Sequence, residues 1–282
     1  MIAILGGLGA AVMWATATLC TSRSSRMIAP ATVLAWVMLV GSTVTVPFAL
    51  ATGVPDGLDA GTLGWLTVMG AANVVGLLMV YNALRIGKVG IVSPITSAEG
   101  AVAALIAVLA GERIGAGAAT MLVLIAAGVV LASFGRDDDA LIRRHNGIAV
   151  ALSTGAAGLF GVGLYITGWL SDRLPVAWVL LPPRVLGVLA LAVPLTIAGR
   201  MRLSRRAAPL VVAAGLCEIL GLASYALGAR HGIAVAAVLS SQFAVVAAVV
   251  AYFLFRERLV RVQLVGIVAV LLGVGVLTAL QA

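Results

Sequence analysis

Apolar runs of about twenty residues, separated by short segments rich in charge, glycine and proline, recur from one end of the chain to the other. A run of that length lets a helix cross a hydrocarbon core roughly 30 Å thick, where every backbone N–H and C=O must be satisfied within the segment. Breaking the sequence at its polar clusters predicts ten spans, near 2–20, 31–51, 63–84, 91–110, 117–134, 147–170, 176–198, 208–228, 233–254 and 262–281. The connections are short apart from GRDDDALIRRHN at 135–146, which reads as a solvated loop. The predicted fold is an all-α membrane protein with ten transmembrane helices.

The pattern also repeats. A shift of 145 residues lays LAGERIG at 109–115 over LFRERLV at 254–260, and carries Arg85 and Gly87 onto Arg230 and Gly232. At the front of each half, GAAVMW at 9–14 lies over GAAGLF at 155–160, and VPFALA at 46–51 over VPLTIA at 193–198. This predicts a first five-helix repeat over 1–134, a linker loop over 135–146 and a second five-helix repeat over 147–282. Five is odd, so the second unit enters the membrane with opposite orientation, and inverted repeats of this kind place a binding site near the midplane between them.

Composition agrees with a lipid solvent. Hydrophobic residues make up 62% of the chain and charged residues 10%, against roughly a quarter charged in soluble domains. A net charge of +8 would suggest nucleic acid in a soluble protein. Here the cations lie between apolar runs, so they read as topology signals and contacts to membrane lipid, with no nucleic acid as partner. One face collects Arg23, Arg26, Arg85, Lys88, Arg136, Arg143, Arg144, Arg200, Arg202, Arg205, Arg206, Arg256, Arg258 and Arg261; the other has Arg113, Arg173 and Arg230. Cytoplasmic loops are enriched in Lys and Arg, so the first face is expected in the cytoplasm and both termini outside. The amino terminus has no Lys or Arg before its apolar stretch and reads as a first span, not a cleaved leader. Cys20 and Cys217 each sit inside an apolar run and read as packing residues. Richness in alanine, valine and arginine with a single lysine points to a bacterial plasma membrane.

Three ionisable side chains fall inside spans: Glu99, Arg184 and Glu218. Each lies eight to ten residues from its span's start, a depth of roughly 12 to 15 Å at about 1.5 Å per residue. A lone charge there costs on the order of 2.5 to 3.5 kcal/mol, so each is expected to face a cavity, pair, or be neutralised. One reading is a structural ion pair between Arg184 and one glutamate. The other adds a second glutamate facing a cavity, where it binds a cationic group or carries a proton. Glu218 is favoured for the cavity, because it aligns with Asn73 in the first repeat whereas Glu99 aligns with Ala244. Around these lie Asn73, Tyr81, Asn82, Ser97, Tyr225, Ser240, Ser241 and Gln242, as bridges between helices or as a polar interior. Trp14, Phe160 and Tyr165 either wall the cavity or anchor the interface. Small residues at four-residue spacing, such as Gly7 with Ala11, predict close helix packing. Pro47, Pro94, Pro182, Pro183 and Pro194 predict bends or hinges. Glu112 with Arg113 and Glu257 with Arg258 read as polar helix ends, or as gate contacts.

The segment YNALRIGKVGIVSPITSAEGAVAALIAVLAGERIG, and its counterpart YALGARHGIAVAAVLSSQFAVVAAVVAYFLFRERLV, resemble the drug/metabolite transporter superfamily and its EamA-like ten-span members. Arg184 in LLPPRVLGVLALA resembles an arginine that this family carries early in the second span of a repeat. The resemblance implies a basket of ten helices around a central cavity, moving metabolites, often amino acids or drugs, by alternating access. It also implies termini in the cytoplasm, opposite to the charge count.

The expected function is therefore transport or efflux of a small molecule, amino-acid-like or an amine, with proton coupling as one option, by a monomer or homodimer without cofactor. The alternative is a non-transporting accessory or structural subunit. The chain has no H-E-x-x-H zinc site, G-x-S-x-G elbow or P-loop, so enzymatic chemistry is not expected.

Overall fold

Helix follows the apolar runs closely, and the departures from the expected spans have local causes. The computed structural model describes residues 1–87, 89–132 and 140–255, with isolated positions 262, 265, 266, 268, 269, 272, 273 and 276 beyond them. Lys88, Arg136, Arg256, Glu257, Arg258, Arg261 and most of the expected tenth span lie outside the described residues. Among those described there are helices and no strand: α1 (Ile2–Ser24), α2 (Pro30–Thr52), α3 (Ala60–Ile86), α4 (Val89–Thr96), α5 (Glu99–Leu109), α6 (Ala116–Ala132), α7 (Ala140–Ser171), α8 (Val176–Gly187), α9 (Val193–Ile197), α10 (Ala208–Ala229), α11 (Ile233–Ser240) and α12 (Phe243–Phe255). Among the described residues six segments are long and apolar enough to cross a membrane: α1, α2, α3, the 147–171 part of α7, the run from α8 through α9, and α10. Bulky apolar side chains also cover the outside, with Phe48 65%, Leu105 60% and Ile197 83% exposed. Helices apolar on all sides suit a lipid solvent, and the protein is a multi-pass membrane protein.

The fourth expected span is two helices, α4 and α5, parted at Ser97 and Ala98. Pro94 has no N–H for the ladder, and just after it the backbone tightens to three-residue steps, Ala98 N–H to Ile95 C=O and Gly100 N–H to Ser97 C=O. The ninth span breaks too, between α11 and α12, without a proline. There the side chains of Ser240, Ser241 and Gln242 donate to the carbonyls of Ala237, Val238 and Val238 and compete with the helix ladder.

In the seventh span a π-helical segment over Val188–Ala192 separates α8 from α9. Pro194 cannot donate to the preceding turn, and the N–H of Val193 reaches back five residues to Val188. α7 begins at Ala140, so the second half of the expected loop is helical; Ala140 to Asn146 holds no glycine or proline to stop it.

The helices pack reciprocally across the middle of the chain. α1 lies along α10 and α3 along α7, while α2 meets α8 and α5 meets α11. Glycine permits the closest approach: a Cβ on Gly6 would stand 2.5 Å from Gly228 Cα, and one on Gly7 would meet Ala236 and Leu239 of α11. The largest apolar cluster, with Leu34, Met38, Leu77, Leu84 and Phe243, draws on both halves.

Candidate functional site

Between the halves the helices do not close. Trp14, Thr18 and Thr21 of α1, at i, i+4 and i+7, turn one face to a central cavity of about 70 Å³. Met69, Asn73, Leu77, Val80 and Tyr81 of α3 form a second wall, and Ser93, Thr96 and Glu99 come from the broken fourth span. The other half supplies Phe160, Gly163, Leu164 and Thr167 of α7, Pro183 of α8, Glu218 and Leu222 of α10, and Phe243 at the start of α12. At about 10 to 15 Å³ per water, the space takes several waters or a small solute.

Its polar groups are unusually short of partners. Asn73 Oδ1, Tyr81 Oη and Ser93 Oγ are buried without a hydrogen bond, and all three residues line the cavity. Buried polar groups in proteins are normally satisfied by protein or by an unseen water or ligand. Glu99 and Glu218 both border the space and lie close enough for their charges to repel. Among the described residues, no Lys, Arg or His lines the cavity.

Arg184 is one residue beyond the cavity wall. A helix turns about 100° per residue, so while Pro183 faces the cavity, Arg184 points away and is completely buried. Its Nη1 donates to Met38 Sδ at 3.3 Å, and Nε and Nη2 have no hydrogen-bond partner. A Cβ on Gly41 would stand 2.8 Å from its Cδ, so the glycine makes the slot in which the side chain lies. The expected ion pair with a glutamate is not formed: among the described residues Arg184 makes no salt bridge, although its charge reaches Glu218 and Tyr81.

The first 134 residues match the EamA-like transporter family. The matched stretch is a little under half of the chain. A comparison with curated proteins gives no match. A crystal structure of a protein superposes with a TM-score of 0.73 at 19% identity, covering 99% of this chain and 96% of that one. That likeness shows the fold alone.

The ten residues expected at the site divide evenly. Glu218, Glu99, Asn73, Tyr81 and Trp14 meet at the cavity. Arg184, Ser97, Tyr225, Gln242 and Tyr165 are not among its lining residues. Ser97 and Gln242 are buried in the two helix breaks. Tyr225 donates to the Leu164 carbonyl at 2.9 Å and stacks its ring 6.2 Å from that of Trp14, which makes it a brace behind the aromatic wall. Tyr165 packs against two buried apolar clusters.

Thr18, Thr21, Ser93, Thr96, Thr167 and Phe243 join the site without having been expected there. Their signal was present for two helices. Trp14, Thr18 and Thr21, like Phe160, Leu164 and Thr167, follow the i, i+4, i+7 spacing of one helical face.

One end of the bundle is tied by connections outside the spans. Glu112, half-buried between α5 and α6, accepts the Ala234 N–H at 3.2 and 3.3 Å and so caps α11. Burial pushes its carboxyl up from the ordinary value, more than the Ala234 and Ile233 N–H groups draw it down. This places it as a cap, one of the polar helix ends expected from the sequence. At the same end, Trp178 Nε1 donates to Gly53 C=O at 2.7 Å and Arg230 to the carbonyls of Ser171 and Leu174.

Proposed function

We propose that this EamA-like protein carries a small amine-bearing metabolite, a simple amine or an amino-acid-like molecule, across a membrane by alternating access, with the ammonium group received in the cavity between Glu99 and Glu218. One observation carries the reading: a cavity walled by both halves holds two carboxylates, three unpartnered polar groups and an aromatic wall, with no cation among the described residues that line it. A cation in such a site gains the carboxylate charge and the face of Trp14 together. A chain kept only as an accessory subunit has no use for that arrangement, since buried charge costs stability.

Alternating access is the natural motion of two inverted five-helix units, 1–134 and 147–282, rocking about a shared site. The reciprocal helix partners and the paired breaks in the fourth and ninth spans support that division. One chain completes the cavity, so a monomer suffices. The distribution of arginine supports a plasma-membrane placement with the arginine-rich loops in the cytoplasm.

The test is uptake by vesicles containing the purified protein, with butylamine and tetramethylammonium offered in turn. The wild type is expected to accumulate one or both, and the double variant E99Q/E218Q neither. Equal uptake by the double variant refutes the assignment of the site.

A further inference from the structure

Two carboxylates share the cavity, and the structure treats them unequally. Glu218 stands in the middle of α10, an unbroken helix of 22 residues that lies along α1. Behind it is Arg184, fixed in its slot against Met38 and Gly41 and near enough for its charge to act on Glu218. Among the described residues, no cation acts on Glu99 in this way. It is the first residue of α5, where the helix terminus offers about half a positive charge against the full charge of a guanidinium. Among the described residues, the ionisable groups acting on it are Glu218 and Tyr225, both on α10. Among the described residues, α6, α7 and α11, the helices packed on α5, bring no ionisable side chain to the cavity wall.

Glu99 is also placed at a joint. The next residue, Gly100, is pressed on the break in the ninth span, where a Cβ would stand 2.5 Å from Ala237 O and 2.7 Å from Ser241 Cβ. On the other side a Cβ on Gly161 of α7 would stand 3.0 Å from the Glu99 carbonyl oxygen. Any rearrangement of the two broken spans therefore moves Glu99, while Glu218 stays with the straight α1–α10 pair. Discontinuous helices are where transporters gather the groups that change with the cycle.

We infer that Glu99 is the exchange residue of this site, taking a proton and the substrate's ammonium in alternation, while Glu218 remains charged against Arg184 and attracts the cation without giving up its own ionisation. This rests on the amine reading above. The charge count then fixes the stoichiometry. Two carboxylates and one guanidinium leave a single negative charge, which one monocation or one proton neutralises. A cation leaving Glu99 is replaced by a proton from the other side, so each turnover moves one of each in opposite directions and no net charge.

The experiment uses the full-length protein in vesicles loaded with a pH-sensitive dye and given a gradient of tetramethylammonium. This permanent cation crosses lipid poorly and cannot carry a proton itself. The wild type is expected to return one proton per cation, at a rate unchanged by an imposed membrane potential. E99Q is expected to lose proton counterflow at least tenfold while folding normally, as judged by its melting curve, and E99D to retain it with a shifted pH profile. E218Q is expected to raise the KM for the cation and keep the one-to-one ratio. Loss of counterflow in E218Q with E99Q unaffected overturns the assignment but leaves the amine site intact. Cation flux with no proton movement in the wild type also overturns it. A wild type that moves no cation fails at the amine reading itself.

Discussion

The contact between α1 and α10 offers a test in which the strain can be read from coordinates. A Cβ on residue 6 would stand 2.5 Å from Gly228 Cα and 2.6 Å from Ser224 O, both backbone atoms that no rotamer change can withdraw. Carbon atoms rest about 3.5 to 4.0 Å apart, so G6A obliges α1 and α10 to part by roughly 1 Å where they pack most closely. Overpacking of this kind costs about 1 to 3 kcal/mol. Gly158, in α7, has nothing within 4 Å of its Cβ position. G158A should therefore show only the helix preference of alanine over glycine, a gain of about 0.5 to 1 kcal/mol. The helix preference is common to both variants, so they are expected to differ by the overpacking alone, about 1 to 3 kcal/mol, or roughly 2 to 12 °C in Tm at this chain length. Thermal melts followed by tryptophan fluorescence in one detergent would measure it. Melting points for G6A and G158A within about 2 °C of each other would refute the close backbone approach and the packing of the two halves built on it.

Two further outcomes follow from groups away from the carboxylate pair. Glu112 has a folded-state pKa raised above the ordinary 4.5, so the folded protein holds this proton more tightly than the unfolded chain does. Stability from this group is therefore lost as pH rises from 4.5 through the raised value. E112Q should flatten that part of the curve in melts between about pH 4 and pH 8; an unchanged slope would mean that other groups set it. Y225F keeps the ring beside Trp14 and deletes the bond to Leu164 C=O. A loss of about 0.5 to 1.5 kcal/mol by thermal melt fits a brace, and a loss above about 3 kcal/mol would contradict that role.

The six segments long and apolar enough to cross were legible because they depend on length and hydrophobicity alone, and lipid leaves the backbone few choices. Irregularities were legible only where proline marked them. Pro94 announced the break in the fourth span and Pro194 the π-helical step in the seventh. The break in the ninth rests on hydroxyl and amide side chains bonding to their own helix, and Ser and Gln occur too often in spans for this to stand out. Site membership was less legible still. Depth is reckoned by counting residues, which sets Glu99, Arg184 and Glu218 at a similar expected level. Rotation about the helix axis does not follow from counting: Pro183 and Arg184 share a depth and face different neighbours.

That rotation explains why a buried arginine is tolerated with two nitrogens unpartnered. An uncompensated guanidinium in the interior costs several kcal/mol, and a direct salt bridge to Glu218 would repay part of it. Such a bridge would also occupy the carboxylate and close the site to any other cation. Turned toward Met38 and Gly41, Arg184 keeps its charge within reach of Glu218 and leaves the carboxylate bordering the cavity. The unsatisfied nitrogens thus lower stability in exchange for an open acidic site. The alignment that favoured Glu218 over Glu99 carried no information on this point, because the countercharge that separates their roles comes from a residue with valine at the equivalent position of the first half.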